Sequence, residues 1–307
     1  MAFQSIYVVS DNAAALNELC AGAKTLGGRV TAFVFGDQAA AESAASCGAD
    51  AILFCPMGET TVPEDYAAAI AAEVKKDESA LVMLYNSIRG RCLAGKIGVA
   101  LDTAVLSSVS EIAVVDGEVQ CSRTVYGGTA HRTEHFTKAY GVITVSSGVF
   151  EAAEAAATTE IAQIAGAAET GIKRIALNAK KESGVNLVAA KRIVDVGRGL
   201  AKEEDLEMCR KLAEVIEAEV GCSRPVAENN KWMPKANYMG ITGVQVKPDL
   251  LIALGVSGQI QHIGGIDKSK VIVAINKDSG ALIFNNCDFG LVGDMYKIVP
   301  ALIEKLS

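Results

Sequence analysis

The sequence predicts an α/β protein of two domains, each a mainly parallel sheet flanked by helices. Three observations carry this expectation. Short, continuously apolar runs alternate with amphipathic helical stretches, as expected of strands buried on both faces. The alternation lapses into an alanine-rich stretch and then restarts, as it does where one domain ends and another begins. Half of the 307 residues are hydrophobic, 5% are aromatic and 29 are glycine, a balance that lets helices pack closely on a sheet.

Taken in order, SIYVVS reads as a strand and Ala13–Leu26 as a helix. RVTAFVFG and Gln38–Cys47 repeat the unit, as do AILFC with Asp65–Lys76 and ALVMLYN with a helix from about Arg89 to Leu101. The rhythm then changes. EIAVVDGEVQ reads as two strands joined at Asp116-Gly117, a favoured hairpin dipeptide, and CSRTVYGG and YGVITVSS continue the extended pattern. An antiparallel extension at one edge of the first sheet follows. Residues 151–171 are alanine-rich with weak periodicity and are compatible with a helix, a linker strand or a mixture. The first domain is expected to occupy residues 1–171 and the second 172–307, with the charged NAKKESGVN segment near the boundary. Beyond it, AKRIVDVGRG, LLIALGVSG and VIVAINKD read as strands ending in glycine or polar residues. Glu203–Val220 and Gly293–Leu306 read as helices.

The bulk properties exclude several classes. A net charge of −7 without a basic run longer than Lys180-Lys181 argues against a nucleic-acid partner. No apolar stretch approaches the ~20 residues of a membrane helix, so no membrane insertion is expected, and the first apolar run lacks a signal-peptide flank. The eight cysteines form no CxxC pair and the three histidines complete no zinc spacing, so no metal site is expected. Free, buried or half-buried thiols and a cytoplasmic location follow.

Chemistry-bearing residues gather where the second domain's strands end, which is where open parallel sheets bind ligands. VGRG (Val196–Gly199) supplies glycines for close backbone approach and Arg198 for an anion. CSRP (Cys222–Pro225) supplies the hydroxyl of Ser223 and the cation of Arg224. GVSGQIQH (Gly255–His262) reads as a strand end, a Ser-Gly turn and a helix start, the pattern of a phosphate cradle, with His262 close behind. AINKD and VGD offer Asn276 and Asp294, whose side chains suit adenine and ribose and equally suit turns and helix caps. Together these read as a site for a large phosphate-bearing nucleotide. Neither the P-loop nor the GxGxxG fingerprint is present, and no carboxylate pair, Ser-His-Asp set or activated cysteine accompanies the cluster. The chemistry would then belong to the cofactor.

From about Arg198 onward, GRGL, VGCSRPVAEN, MGITG, GVSGQIQHIGG, VIVAINKD and DFGLVGDMYKIVPALI resemble, in order and spacing, the C-terminal domain of electron transfer flavoprotein α subunits. CSRPVAEN followed by KWM, and SGQIQH, are most similar to the FixB branch of enterobacterial type, linked in that family to carnitine or acyl-CoA metabolism. NSIRGRCLAGKIGVAL and VYGG resemble, more loosely, family segments of the first domain. The resemblance implies a Rossmann-like FAD-binding second domain and a first domain that meets a β subunit. By it, Arg224 would sit beside the isoalloxazine and favour the anionic semiquinone, and His262 would act near the pyrimidine carbonyl. Thr242 would bond the flavin around N5. Ser257, Gly258, Gln259, Ile260 and Gln261 would wrap the ribityl-pyrophosphate, Arg198 and Ser223 would touch the cofactor, and Asn276, Asp294 and Met295 would hold the adenosine end.

The resemblance also implies a heterodimer whose β subunit carries AMP or a second FAD. The expected donor is an acyl-CoA dehydrogenase-type flavoprotein and the expected acceptor a quinone oxidoreductase-type protein. Two positions depart from the family pattern. Ile241 stands where many members have Gln, so one flavin contact is not carried over. Asp195 replaces a small residue, which strand-end exposure would explain. The alternative is an NAD(P)-binding, transhydrogenase-like redox domain, for which no catalytic acid or base is evident.

Overall fold

A computed structural model describes residues 3–153, 159–164, 166, 168, 170–176 and 185–307. The chain forms two compact units, residues 1–126 with 130–178, and residues 127–129 with 179–307. Most of the expected boundary segment, at 177–184, lies outside the described residues, as do 154–158 of the alanine-rich stretch.

The first unit runs β1 (Ser5–Ser10), α1 (Ala13–Thr25), β2 (Arg29–Gly36), α2 (Gln38–Ser43), β3 (Ala51–Pro56), α3 (Ala67–Val74), β4 (Ala80–Tyr85) and α4 (Ile88–Ala100). It continues through β5 (Val105–Val115), β6 (Glu118–Val125), β7 (Ala130–His135), β8 (Tyr140–Val145) and β9 (Ile161–Gln163). The strands make one sheet of nine in the order β7-β6-β5-β8-β4-β1-β2-β3-β9. Alternation along β1 sends Ile6 and Val8 to one face, against Leu16 and Leu19 of α1, and Tyr7 and Val9 to the other, against Ile70 of α3 and Ile97 of α4. The sheet is therefore buried on both sides, which is why these strands read as continuous apolar runs. β5, β6 and β7 pair antiparallel, forming the extension expected at one edge. Asp116 (φ 52°) and Gly117 (φ 77°) both take the left-handed conformation that a two-residue hairpin turn requires.

The second unit contains β10 (Arg192–Val196), α5 (Leu206–Val215), β11 (Glu219–Cys222), β12 (Leu250–Leu254), α6 (Ile260–Ile263), β13 (Ile272–Asn276), β14 (Phe289–Val292) and α7 (Met295–Leu306). All five strands are parallel, in the order β11-β10-β12-β13-β14. Val194 and Val196 face Leu206, Cys209 and Leu212 of α5 and Val299 of α7. Ile193, Leu251 and Ala253 face Met239, Val256 and Ile266 on the other side.

Three elements differ from expectation. The helix read as Glu203–Val220 stops at Val215, because Glu217 turns left-handed (φ 51°) and the Ala218 amide reaches back to the Ala213 carbonyl at 2.7 Å. The residues freed become β11. Phe289–Val292, too short and too broken by glycine to read as a strand, pairs with β13 as the edge strand β14. The helix start expected after Ser-Gly is a single turn of four residues, so the extended helix dipole invoked for a phosphate is not built.

Candidate ligand-binding site

Because the strands of the second unit are parallel, their carboxyl ends share one edge, and the chain order reverses between β10 and β12. Such a reversal opens a crevice in which ligands bind. Here the crevice is walled by backbone. The Gly197 amide bonds the Leu254 carbonyl at 2.9 Å and the Gly199 amide bonds the Gly255 carbonyl at 3.0 Å. A Cβ at Gly197 would lie 2.3 Å from the Gly255 oxygen, and one at Gly255 would lie 2.7 Å from the Gly199 Cα. Gly255 is also left-handed, with φ +62°. Only glycine fits where these two strand-end turns pack backbone against backbone.

Gly258 makes the next turn, with φ +80° and a would-be Cβ 2.1 Å from the Ile283 amide nitrogen. Around it, the consecutive amides of Ser257, Gly258, Gln259, Ile260 and Gln261 find no acceptor among the described residues. Ser257, Gln259, Ile260 and Gln261 are exposed there. Adjacent unsatisfied amides in a glycine turn are the usual recognition element for an anion.

The charged groups divide. Arg198 is exposed and has no ion pair among the described residues, leaving its guanidinium available. Arg224 is also exposed, at 65% of its side chain, and its Nε donates to Glu228 Oε2 at 2.6 Å. Hydrogen bonding to that carboxylate, together with its charge, raises the arginine further. Glu228 is held below the usual carboxylate range by Arg224 and by Lys235 at 3.2 Å. The buried Ser223 hydroxyl has no partner among the described residues. Thr242 Oγ1 is 2.9 Å from the Tyr238 hydroxyl. Ile241 is tied by its amide to the Gln261 carbonyl at 2.8 Å, so the loop carrying Thr242 is fastened to α6.

The expected adenosine-end residues are occupied structurally. Asn276 Nδ2 donates to the Val256 carbonyl at 2.8 Å, and its Oδ1 accepts from the Asp278 amide at 3.0 Å. Asp294 caps α7 by accepting from the Tyr296 amide at 3.0 Å. Met295 is buried beneath the Gly255 turn, its sulfur 3.2 Å from where a Cβ there would be.

Asp195 overturns its expectation. It is fully buried near the carboxyl end of β10 rather than exposed there, and its Oδ2 lies 2.6 Å from His262 Nε2. His262 Nδ1 lies 3.0 Å from the Met239 carbonyl. Burial alone would push the imidazole down, but the Asp195 charge, its hydrogen bond and the carbonyl together raise it. This is not part of a hydrolytic triad, because both ring nitrogens are engaged and no hydroxyl reaches them. Sequence reasoning missed the couple because its partners are 67 positions apart.

The eight cysteines are free, with Cys92 exposed where burial was expected, and the described residues hold no cluster suited to a metal. No helix among the described residues is long and apolar enough to cross a membrane.

Comparison with known proteins adds a second line of support. Residues 9–177 match the model of the electron transfer flavoprotein domain, and residues 186–267 match that of the electron transfer flavoprotein FAD-binding domain. Protein FixB of Salmonella typhimurium is 41% identical over 312 residues, covering 99% of each chain. Protein FixB of Escherichia coli O157:H7 is 40% identical over 310 residues, again covering 99% of each chain. YdiR of Escherichia coli K12 is 41% identical over 310 residues, covering 99% of this chain and 98% of its own.

Proposed function

Given that this chain belongs to the electron transfer flavoprotein family as a FixB-type α subunit, we propose that it binds FAD along the carboxyl edge of the second unit's sheet and serves as an electron carrier. The observation that carries this reading is the run of acceptor-less amides from Ser257 to Gln261 beside the glycine-walled reversal of β10 and β12. The residues fit the group. The amides suit a pyrophosphate, Arg198 adds a cation, and the Ser223 hydroxyl is a buried polar atom without a partner among the described residues.

Bound there, FAD would supply the redox chemistry, taking electrons from a donor and passing them on singly. The chain's own residues do the rest. Gly197, Gly199, Gly255 and Gly258 let the strand-end turns pack backbone against backbone and so set the shape of the edge. Arg224 contributes positive charge, moderated by Glu228, where the isoalloxazine is expected. Thr242 offers a hydroxyl, with Tyr238 fixing its direction. Asn276 and Asp294 shape the far end by clamping the Val256 loop and capping α7. Met295 supports the Gly255 turn from below.

The reading includes a β-subunit partner carrying AMP or a second FAD, an acyl-CoA dehydrogenase-type donor and a quinone oxidoreductase-type acceptor. Free thiols at all eight cysteines suit a reducing compartment, here the cytoplasm. The test is to purify the chain with its β subunit, denature the complex and identify the nucleotide released. FAD bound by this chain supports the proposal. A complex that releases no flavin and binds NAD instead overturns it in favour of the nicotinamide alternative.

A further inference from the structure

Asp195 and His262 form a second, deeper arrangement under the same edge. Alternation along β10 places Asp195 on the face that also carries Ile193. Its neighbours in register are small, Gly221 on β11 and Ala253 on β12. A Cβ at Gly221 would lie 2.6 Å from the Met239 Cε, so glycine is what makes room for the Met239 side chain on this face. His262 descends beside it from α6 and is itself 8% exposed.

The hydrogen bonds fix the protons. The Met239 carbonyl can only accept, so Nδ1 must carry a hydrogen. The remaining ring nitrogen faces a carboxylate oxygen at 2.6 Å, and that contact also needs a proton between its atoms. The Asp195 charge and its hydrogen bond, with the Met239 carbonyl, favour the charged imidazole against the effect of burial, so the proton belongs to Nε2. The other titratable group close to the pair is the Cys222 thiol of β11, pushed up to about 12 by burial and by Asp195, and therefore neutral. β12 and β13 contribute apolar residues to this face, and Arg224 is exposed and paired with the half-buried Glu228, which Lys235 also meets.

We propose that Asp195 is a positioning residue that holds His262 as an imidazolium, both N–H groups donated within the chain, so that this wall of the site carries an ion pair in place of a free imidazole. His262 then gives no N–H to a ligand without breaking one of these bonds. Its positive charge is opposed at contact distance by the carboxylate.

The proposal does not depend on which cofactor binds, and its test is read without one. The full chain, alone and with its β subunit, is labelled with nitrogen-15 histidine, and the His262 signals are assigned by their loss in His262→Gln. At about pH 8, above the ordinary histidine midpoint, both His262 ring nitrogens are expected in the protonated range. Asp195→Asn is expected to leave Nε2 unprotonated, and Asp195→Glu to restore the imidazolium signature. A structural role alone would alter stability without moving these signals. A wild-type His262 with Nε2 unprotonated at that pH overturns the proposal. So does an Asp195→Asn chain that keeps the imidazolium. The wild-type spectrum decides the protonation state even if Asp195→Asn fails to fold.

Discussion

A carboxylate fully buried in a parallel sheet is strongly unfavourable unless its charge is met, and at Asp195 the compensation comes from His262. Removing the partner should therefore destabilise more than removing both. His262→Gln is expected to lose about 3–5 kcal/mol in urea unfolding, and Asp195→Asn combined with it to recover much of that loss. The pH dependence has a definite sign. Because His262 is raised in the folded chain, its contribution is fully present below the unfolded midpoint of about 6.5, and disappears as pH rises through the folded value. Urea midpoints measured upward from about pH 6 should fall in the wild type by an amount that His262→Gln does not show. Arg224 behaves differently. It is exposed and paired with Glu228, so Arg224→Ala should leave the urea midpoint unchanged while lowering the flavin's one-electron potential. An unchanged potential would remove Arg224 from the electrostatics of the site. At this scale the sequence was informative about residue type and silent about pairing. Arg198, Ser223 and the 257–261 turn were visible as glycine- and polar-rich strand ends. The Asp195–His262 couple was not, since its partners lie 67 positions apart and only the fold brings them together, whereas Arg224–Glu228 is an i,i+4 pair of ordinary helical spacing.

Among the elements, the interior strands were legible and the edges were not. β10, β12 and β13 are covered on both faces and so show unbroken apolar runs. β11 and β14 lie at the two edges of the same sheet, where one side has no strand to match, and their sequences carry correspondingly little pattern. β11 was absorbed into the helix before it because AEVIEAEV continues the helical spacing through the turn at Glu217. The turns carry the strongest expectations of function. Gly255→Ala would place a Cβ 2.7 Å from the Gly199 backbone on a left-handed residue. It should cost about 1–3 kcal/mol and sharply reduce the FAD recovered with the complex. By contrast, Asp294→Ala removes the cap of α7 and should cost about 1 kcal/mol in the same unfolding assay. Loss of flavin in that variant beyond what the stability change explains would show that Asp294 also serves the cofactor.

At the level of the whole molecule, the alternation of runs predicts two α/β units, and the chain contains two mainly parallel sheets flanked by helices. The order of the strands was not legible. Parallel neighbours are set by helix packing across the sheet rather than by adjacency in sequence, and it is the reversal between β10 and β12 that brings Gly197, Gly199 and Gly255 together. The family resemblance supplied what periodicity could not, a cofactor class and a partner subunit, and the matched family models cover segments of both units. The measurement that bears most directly on the carrier role is a stepwise potentiometric reduction of the complex with its β subunit, followed by visible absorption. An electron carrier should show the flavin of this chain reduced in two resolved one-electron steps, with the first shifted down in Arg224→Ala. A flavin that takes both electrons in one unresolved step, indifferent to Arg224, would contradict the account.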